Sequence, residues 1–441
     1  MRGRRGLRRV SFEVLDCLDS FFRLTKRSPT LDGSVPVRVA RACVPLLEGN
    51  AYGFQLTLDR PLRLTRRLGR WHAGWSEADT RDLLRRHRGA VPRLGVEGFV
   101  PSALWTRALE PAVAQPLSGG IRLFTGLLAK PTKGVWLRVT SAANRRNTLF
   151  EVVEQVIPDD GAWVPLVLEL RPRRGAPPRF GISGEVATIA ALRPDVRIRE
   201  VSLADAPALA AAHSRFYDRA YFEGKKEDVT GKYRRAVAGE AVAEADHEAV
   251  GRVARIGASL VEVKPLGPFT TASGPVPTPR PADPRGIDTL VFRNEVAFTA
   301  FYDGHTLALE YDRKRLRAKA EVVESAFLAA VPEGSHEHPG AALYLTKYFT
   351  PHPPGEPHFF VKPWAFTQTP PGWSSLLDGF HGDGYDVMRG VVSTDTFFAT
   401  PAVFRVHREG AQVHVPEGRP LLRVIPVPRR LLASEYRLRR L

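Results

Sequence analysis

The chain reads as mainly β with a helical insert, arranged as two tandem antiparallel β-sandwich or jelly-roll-like units. Three observations predict this. Short segments rich in β-branched and aromatic residues recur between turns that carry Gly or Pro. Two stretches far apart in the sequence echo one another, and an Ala-rich, then Pro-rich, region of different texture lies between them. At 441 residues the chain is also too long for one ordinary core.

The elements follow in order. Residues 1–200 are expected to hold an N-terminal helix and the first sandwich unit. In "VSFEVLDCLDSFFRL" the residues Val14, Leu15, Leu18, Phe21 and Phe22 recur at helical spacing, which predicts an amphipathic helix. Residues 201–286 form the helical segment and linker. The Ala-rich run 204–260 favours helix, whereas "PLGPFTTASGPVPTPRPADPRG" disfavours helix and central strand alike, because each Pro lacks a backbone donor. Residues 287–441 make the second sandwich unit, with "TLVFRNEVAF", "HTLALEYD", "HFFVKPWAF" and "LLRVIPV" as strands. "VFRVHREGAQVHV" reads as a hairpin turning at Glu409-Gly410.

The echo relates residues 136–194 to residues 359–428. Asp160 precedes Trp163 by three residues, as Asp395 precedes Phe398; Gly184 and Gly418 each stand ten residues before a Pro, Pro194 and Pro428. This spacing predicts an internal duplication. Between its first strand and the acid, the second copy is longer by eleven residues, and the excess falls on "DGFHGDGYDVMRG". Insertions in surface loops are thermodynamically tolerated and often carry binding groups. His381, Asp383, Tyr385, Asp386 and Arg389 are therefore the candidate ligand-binding residues, with Trp373 as an apolar wall and Asp395 at the entry to the next strand. Asp and Gly are also default turn formers, so the same segment reads as a solvated polar loop.

Composition bounds the function. A hydrophobic share of 43% and a charged share of 25% are ordinary for a globular chain. Only Cys17 and Cys43 occur, without metal-ligand spacing, so a reducing, cytoplasmic setting is expected rather than a disulfide framework. No apolar run approaches the ~20 residues of a membrane helix. The net charge of +17 points to polyanions, nucleic acid among them, as partners. Yet the basic residues, of which 11 are Lys and the rest Arg, are dispersed, and no base-reading module appears. His336 and His338 would share one face of a strand, as in metal-binding cupins, but no carboxylate follows at the cupin position.

Asn50, Tyr52 and Gly53 stand near the start, Pro371, Gly372 and Trp373 at a turn, Gly390, Val391, Val392, Thr394 and Asp395 in "RGVVSTD", and Gly418 near the end. In these positions, about a third of the chain, the sequence resembles a bacterial family catalogued only as a domain of unknown function. The chain departs from that family in its longer middle and in "PEGRP". The resemblance implies a β-rich fold and a bacterial source, and supplies no activity. Three classes of function are expected: a binding or scaffold protein that uses the loops of the C-terminal unit, a metal-dependent, cupin-like oxygenase or other enzyme, and an anion- or nucleic-acid-binding protein that uses the Arg surplus.

Overall fold

The computed structural model describes residues 10–16, 21–31, 43–96, 115–117, 119–145, 147, 149–222, 249–266, 286–332, 346–351, 357–407, 410 and 412–440. Strand accounts for 53% and helix for 16%, with antiparallel sheets of which none closes, so the predicted mainly β class holds.

The first unit is a pair of facing sheets. One orders β27 (Glu435–Arg440), β1 (Val10–Asp16), β6 (Gly120–Pro131), β10 (Val164–Pro172) and β8 (Phe150–Val152), with β5 (Gln115–Leu117) on β6. The other orders β2 (Phe22–Lys26), β3 (Phe54–Arg67), β11 (Arg179–Leu192), β7 (Trp136–Ser141) and β9 (Gln155–Ile157), with β4 (Arg70–Gly74) on β3. Alternation puts Leu56, Leu58, Leu62 and Leu64 of β3 into the same core as Phe12 and Val14 of β1 and Leu166, Leu168 and Leu170 of β10.

The second unit repeats this plan with additions. One sheet orders β14 (Val261–Pro265), β15 (Asp288–Arg293), β26 (Pro420–Pro428), β21 (Trp373–Gly379) and β23 (Gly390–Val392). Another orders β18 (Phe349–Pro351), β19 (His358–Val361), β24 (Ala402–Val406) and β22 (Tyr385–Met388). Strand for strand, β2-β3-β11-β7-β9 corresponds to β14-β15-β26-β21-β23, and β1-β6-β10-β8 to β18-β19-β24-β22. Two three-stranded sheets flank them: β12 (Val196–Ser202), β13 (Ala249–Arg255) and β20 (Ala365–Gln368), and β17 (Leu307–Tyr311), β16 (Phe298–Tyr302) and β25 (Gln412–Val415).

Five helices are described: α1 (Val44–Ala51), α2 (Glu77–Val96), α3 (Pro207–Phe222), α4 (Arg313–Ala330) and α5 (Arg429–Leu432). Asp312 caps α4 by accepting from the Arg315 N–H, and Ala320, Val323, Phe327 and Ala330 form its buried stripe.

The two units share a boundary core. Tyr52, Trp136 and Leu192 from the first pack with Trp373, Leu376, Ile425 and Val427 from the second. The expected division at residues 200 and 286 is crossed by the pairings. β12 to β14 belong to the second unit, and β27 leaves it to lie parallel to β1 in the first.

Several local expectations are corrected. The predicted N-terminal helix is instead β1 and β2, because Val10–Asp16 is flanked by β6 and β27 and buries apolar side chains on both faces, a demand a one-sided helix cannot meet. β13 falls inside the run expected to be helical; "AVGRVAR" is rich in β-branched Val and pairs with β12 and β20. The predicted hairpin at Gly410 does not form: β24 joins β19 and β22, whereas β25 joins β16. The segment 371–398, expected as an inserted surface loop, is largely β21, β22 and β23. Cys17, His336, His338 and most of the Pro-rich stretch lie outside the described residues.

Candidate functional site

Where β7 of the first unit meets its counterpart β21 of the second, charged side chains emerge from otherwise apolar strands. Arg138 in "WLRVT" and Asp378 in "SSLLDG" each stand one residue past a buried Leu, so alternation turns them away from the sandwich cores and into the cleft between the units. Arg138 donates from Nη2 to Asp378 Oδ2 at 2.5 Å and from Nε to Glu154 Oε1 at 2.9 Å. Arg389, between β22 and β23, donates from Nε to the other Asp378 oxygen at 3.0 Å and from Nη2 to Thr140 Oγ1 at 3.2 Å. Arg423 of β26 donates to Glu154 at 2.8 Å. One carboxylate thus sits between two guanidinium groups, and a second carboxylate bridges Arg138 to Arg423.

The backbone on either side is fixed by amides. Asn144, in the left-handed region at φ 59°, donates to Asn50 Oδ1 at 2.6 Å and to the Arg389 carbonyl at 2.9 Å, and accepts from the Arg389 N–H. Asn50 donates in turn to the Pro29 carbonyl at 2.8 Å. Beside them Arg27 donates to Glu185 Oε1 at 3.1 Å and to the Ala143 carbonyl at 2.6 Å, and Arg145 reaches the other Glu185 oxygen at 3.0 Å.

The electrostatics are unbalanced. Arg27, Arg138, Arg145, Arg389 and Arg423 surround three carboxylates, Glu154, Glu185 and Asp378. Burial alone would raise the Asp378 pKa, but the charges of Arg138 and Arg389 outweigh it and hold the group far below the usual carboxylate range. Glu154 is lowered by Arg138 in the same way against its own burial. Arg27 is pushed down to about 10, first by burial, with Glu185 opposing and the charge of Arg389 adding to the effect. Among the described residues, the buried Nη1 atoms of Arg27, Arg138 and Arg389 have no hydrogen-bond acceptor. Each such orphan costs on the order of 1–3 kcal/mol. Arg138, Thr140, Asn144, Asp378, His381 and Arg389 line one cavity of about 260 Å³ at this junction. On the opposite face of β21, Leu377 lines an apolar cavity of about 120 Å³ with Cys43, whose thiol burial pushes up to about 11, away from reactive thiolate character.

The residues expected from the sequence distribute unevenly. Arg389 and His381 line the cleft. Asp386 is buried in β22, where it lies 2.9 Å from His381 Nδ1, 2.7 Å from Arg405 and 2.6 Å from His407 Nε2. Its burial opposes ionisation, yet the close approach of His381 and His407, with the charge of Arg405, keeps its carboxyl well below the usual range. Asp383 is exposed in the turn before β22, and Tyr385 is buried and stacked on Phe404. Trp373 is not a cleft wall; it is fully buried in the boundary core, with the Arg193 guanidinium 5.6 Å from its ring centre. Asp395 accepts from the Gly372 N–H at 3.1 Å and pairs with Arg429, so it clamps a turn. Asp159 holds the matching turn of the first unit, accepting from the Gly134 N–H and from Trp136 Nε1.

Sequence reasoning missed Arg138, Asp378, Glu154 and Asn144. The available signal was a lone charge inside each of two apolar strands, a placement that demands a partner.

Among the described residues no group of three or more His, Cys, Asp or Glu is placed to hold a metal ion, and no helix is long and apolar enough to cross a membrane. No protein-family model matches the chain, and no curated protein matches it significantly.

Proposed function

We propose that the chain is a binding protein for a small anion, a carboxylate or a phosphate, taken up in the cleft between the two β units. One observation carries this: among five arginines, three of them buried, and three carboxylates, Arg138 and Arg389 each keep a buried donor without an acceptor beside a cavity that both line. An anion there would supply the missing acceptors and the missing charge. His381, tied to Asp386, stands at the mouth and offers a further polar contact.

This reading keeps the binding class expected from the sequence and moves the site from the loops of the second unit to the joint between units. The common strand order supports an origin by duplication, which would explain why equivalent strands supply Arg138 and Asp378.

Calorimetric titration with phosphate, acetate and succinate tests the proposal. Saturable binding of at least one anion is expected, weakened at least about tenfold, or about 1.4 kcal/mol, by Arg389→Lys, which keeps the charge but loses the planar fork. Thr140→Val, which removes only the hydroxyl facing Arg389, should weaken binding less. Folded protein that binds none of the three anions contradicts the proposal.

A further inference from the structure

The outer face of the first unit carries a second basic surface of different character. β4, β3 and β11 lie side by side there, and their register fixes which side chains share a face. Arg63 is opposite Gly74 and Gly181, Thr65 is opposite His72 and Arg179, and Arg67 is opposite Arg70. Leu62, Leu64, Trp71 and Phe180 point into the core, so Arg63, Arg67, Arg179 and His72 point out. They line an open trough of about 710 Å³, walled by the half-buried Trp75.

The floor is low because two of its positions are glycine: a Cβ on Gly74 or Gly181 would meet nothing within 4 Å. Asp79, which accepts from Ser76 at the start of α2, is the acidic residue at the rim.

The cations here differ from those of the cleft. Arg63, Arg67 and Arg179 are exposed and form no ion pair with any described residue, whereas each cleft arginine is held by a carboxylate. Same-face neighbours on a strand are ~7 Å apart and adjacent strands ~5 Å apart, so Arg63, Arg179 beside Thr65, and Arg67 form a zigzag with a regular step along the strands. A zigzag of unpaired cations in an open trough suits a linear polyanion better than a small one, which would engage a single guanidinium and leave the others solvated. Trp75 packs edge-to-face on Phe21 and against the core, and the part of the side chain left exposed at the trough favours an occupant with flat rings as well as regular charge.

We propose that this trough binds single-stranded nucleic acid, with successive phosphates at Arg63, Arg179 and Arg67 and a base against Trp75. The site is separate from the cleft, so it stands or falls independently of the small-anion reading.

Fluorescence anisotropy of a short labelled oligothymidine over a range of salt concentrations tests it on the full chain. Wild-type protein should bind, with affinity falling steeply as salt rises. The triple variant Arg63→Gln, Arg67→Gln, Arg179→Gln alters only exposed side chains. It should bind at least tenfold more weakly and lower the log–log salt slope by about 2, at ~0.7 per lost phosphate contact. The triple Arg313→Gln, Lys314→Gln, Arg317→Gln on the exposed start of α4 removes equal charge elsewhere and should leave binding within about twofold. Failure to bind at low salt, an equal loss in the α4 variant, or tighter binding of duplex DNA or heparin than of the single strand would overturn the proposal.

Discussion

Lys362 follows β19 directly; its N–H donates to the Tyr348 carbonyl at 2.9 Å, and only 7% of the residue is exposed. Burial, with a smaller contribution from the charge of Lys347, pushes its ammonium down to about 7. The direction of the linkage follows. In the unfolded chain the group titrates near ~10.4, so between about pH 7 and pH 10 the unfolded state binds the extra proton, and stability rises with pH by ~1.4 kcal/mol per unit. Below that window the folded protein must hold a charged, desolvated amine. Lys362→Met removes this titration, so the rise of stability between about pH 7 and pH 10 should flatten and the stability gap between the two proteins should change with pH across that window. Urea denaturation of both proteins at the two pH values measures this, and a gap that does not change with pH would show that Lys362 is not desolvated.

At the scale of elements, the contact between α1 and β23 positions one side of the cleft. A Cβ on Gly49 would lie 2.5 Å from Gly390 Cα and 2.8 Å from the Arg389 carbonyl oxygen, backbone atoms that cannot step aside. Helix and strand touch there, and Asn50, the next residue, reaches Asn144 because of it. Gly49→Ala should cost ~2–3 kcal/mol by overpacking, read as a lower denaturation midpoint with an unchanged m-value. A loss below ~0.5 kcal/mol would mean that α1 is free to shift.

Elements of this kind were only partly legible in the sequence. "VPLVLEL", "LLRVIPV" and "HTLALEYD" announce strands through residue type alone, and β10, β26 and β17 occupy them. β1 did not, because a strand buried on both faces loses its alternation and its apolar residues then also satisfy helical spacing. Arg389 was legible as an unusual charge beside Gly390. Arg138 and Asp378 were not, because they lie 240 residues apart and acquire meaning only when β7 and β21 are brought together.

At the scale of the whole molecule, two sheet pairs with one strand order meet through a shared apolar core of Trp136, Trp373 and their neighbours. Around that core lies a ring of charge in which arginines exceed acids. The ring does two things physically. Arg138 to Asp378 and Arg423 to Glu154 tie the units together. The surplus leaves the cleft positive and short of acceptors. An ion-pair clamp needs the first property alone; a ligand site needs the second. The measurement that separates them is crystallographic, using selenate, a tetrahedral dianion with an anomalous signal, soaked into crystals of the full chain. A single anomalous peak within hydrogen-bond distance of both the Arg138 and the Arg389 guanidinium groups is the expected result. A cleft that holds only water while selenate settles on surface arginines would contradict the account.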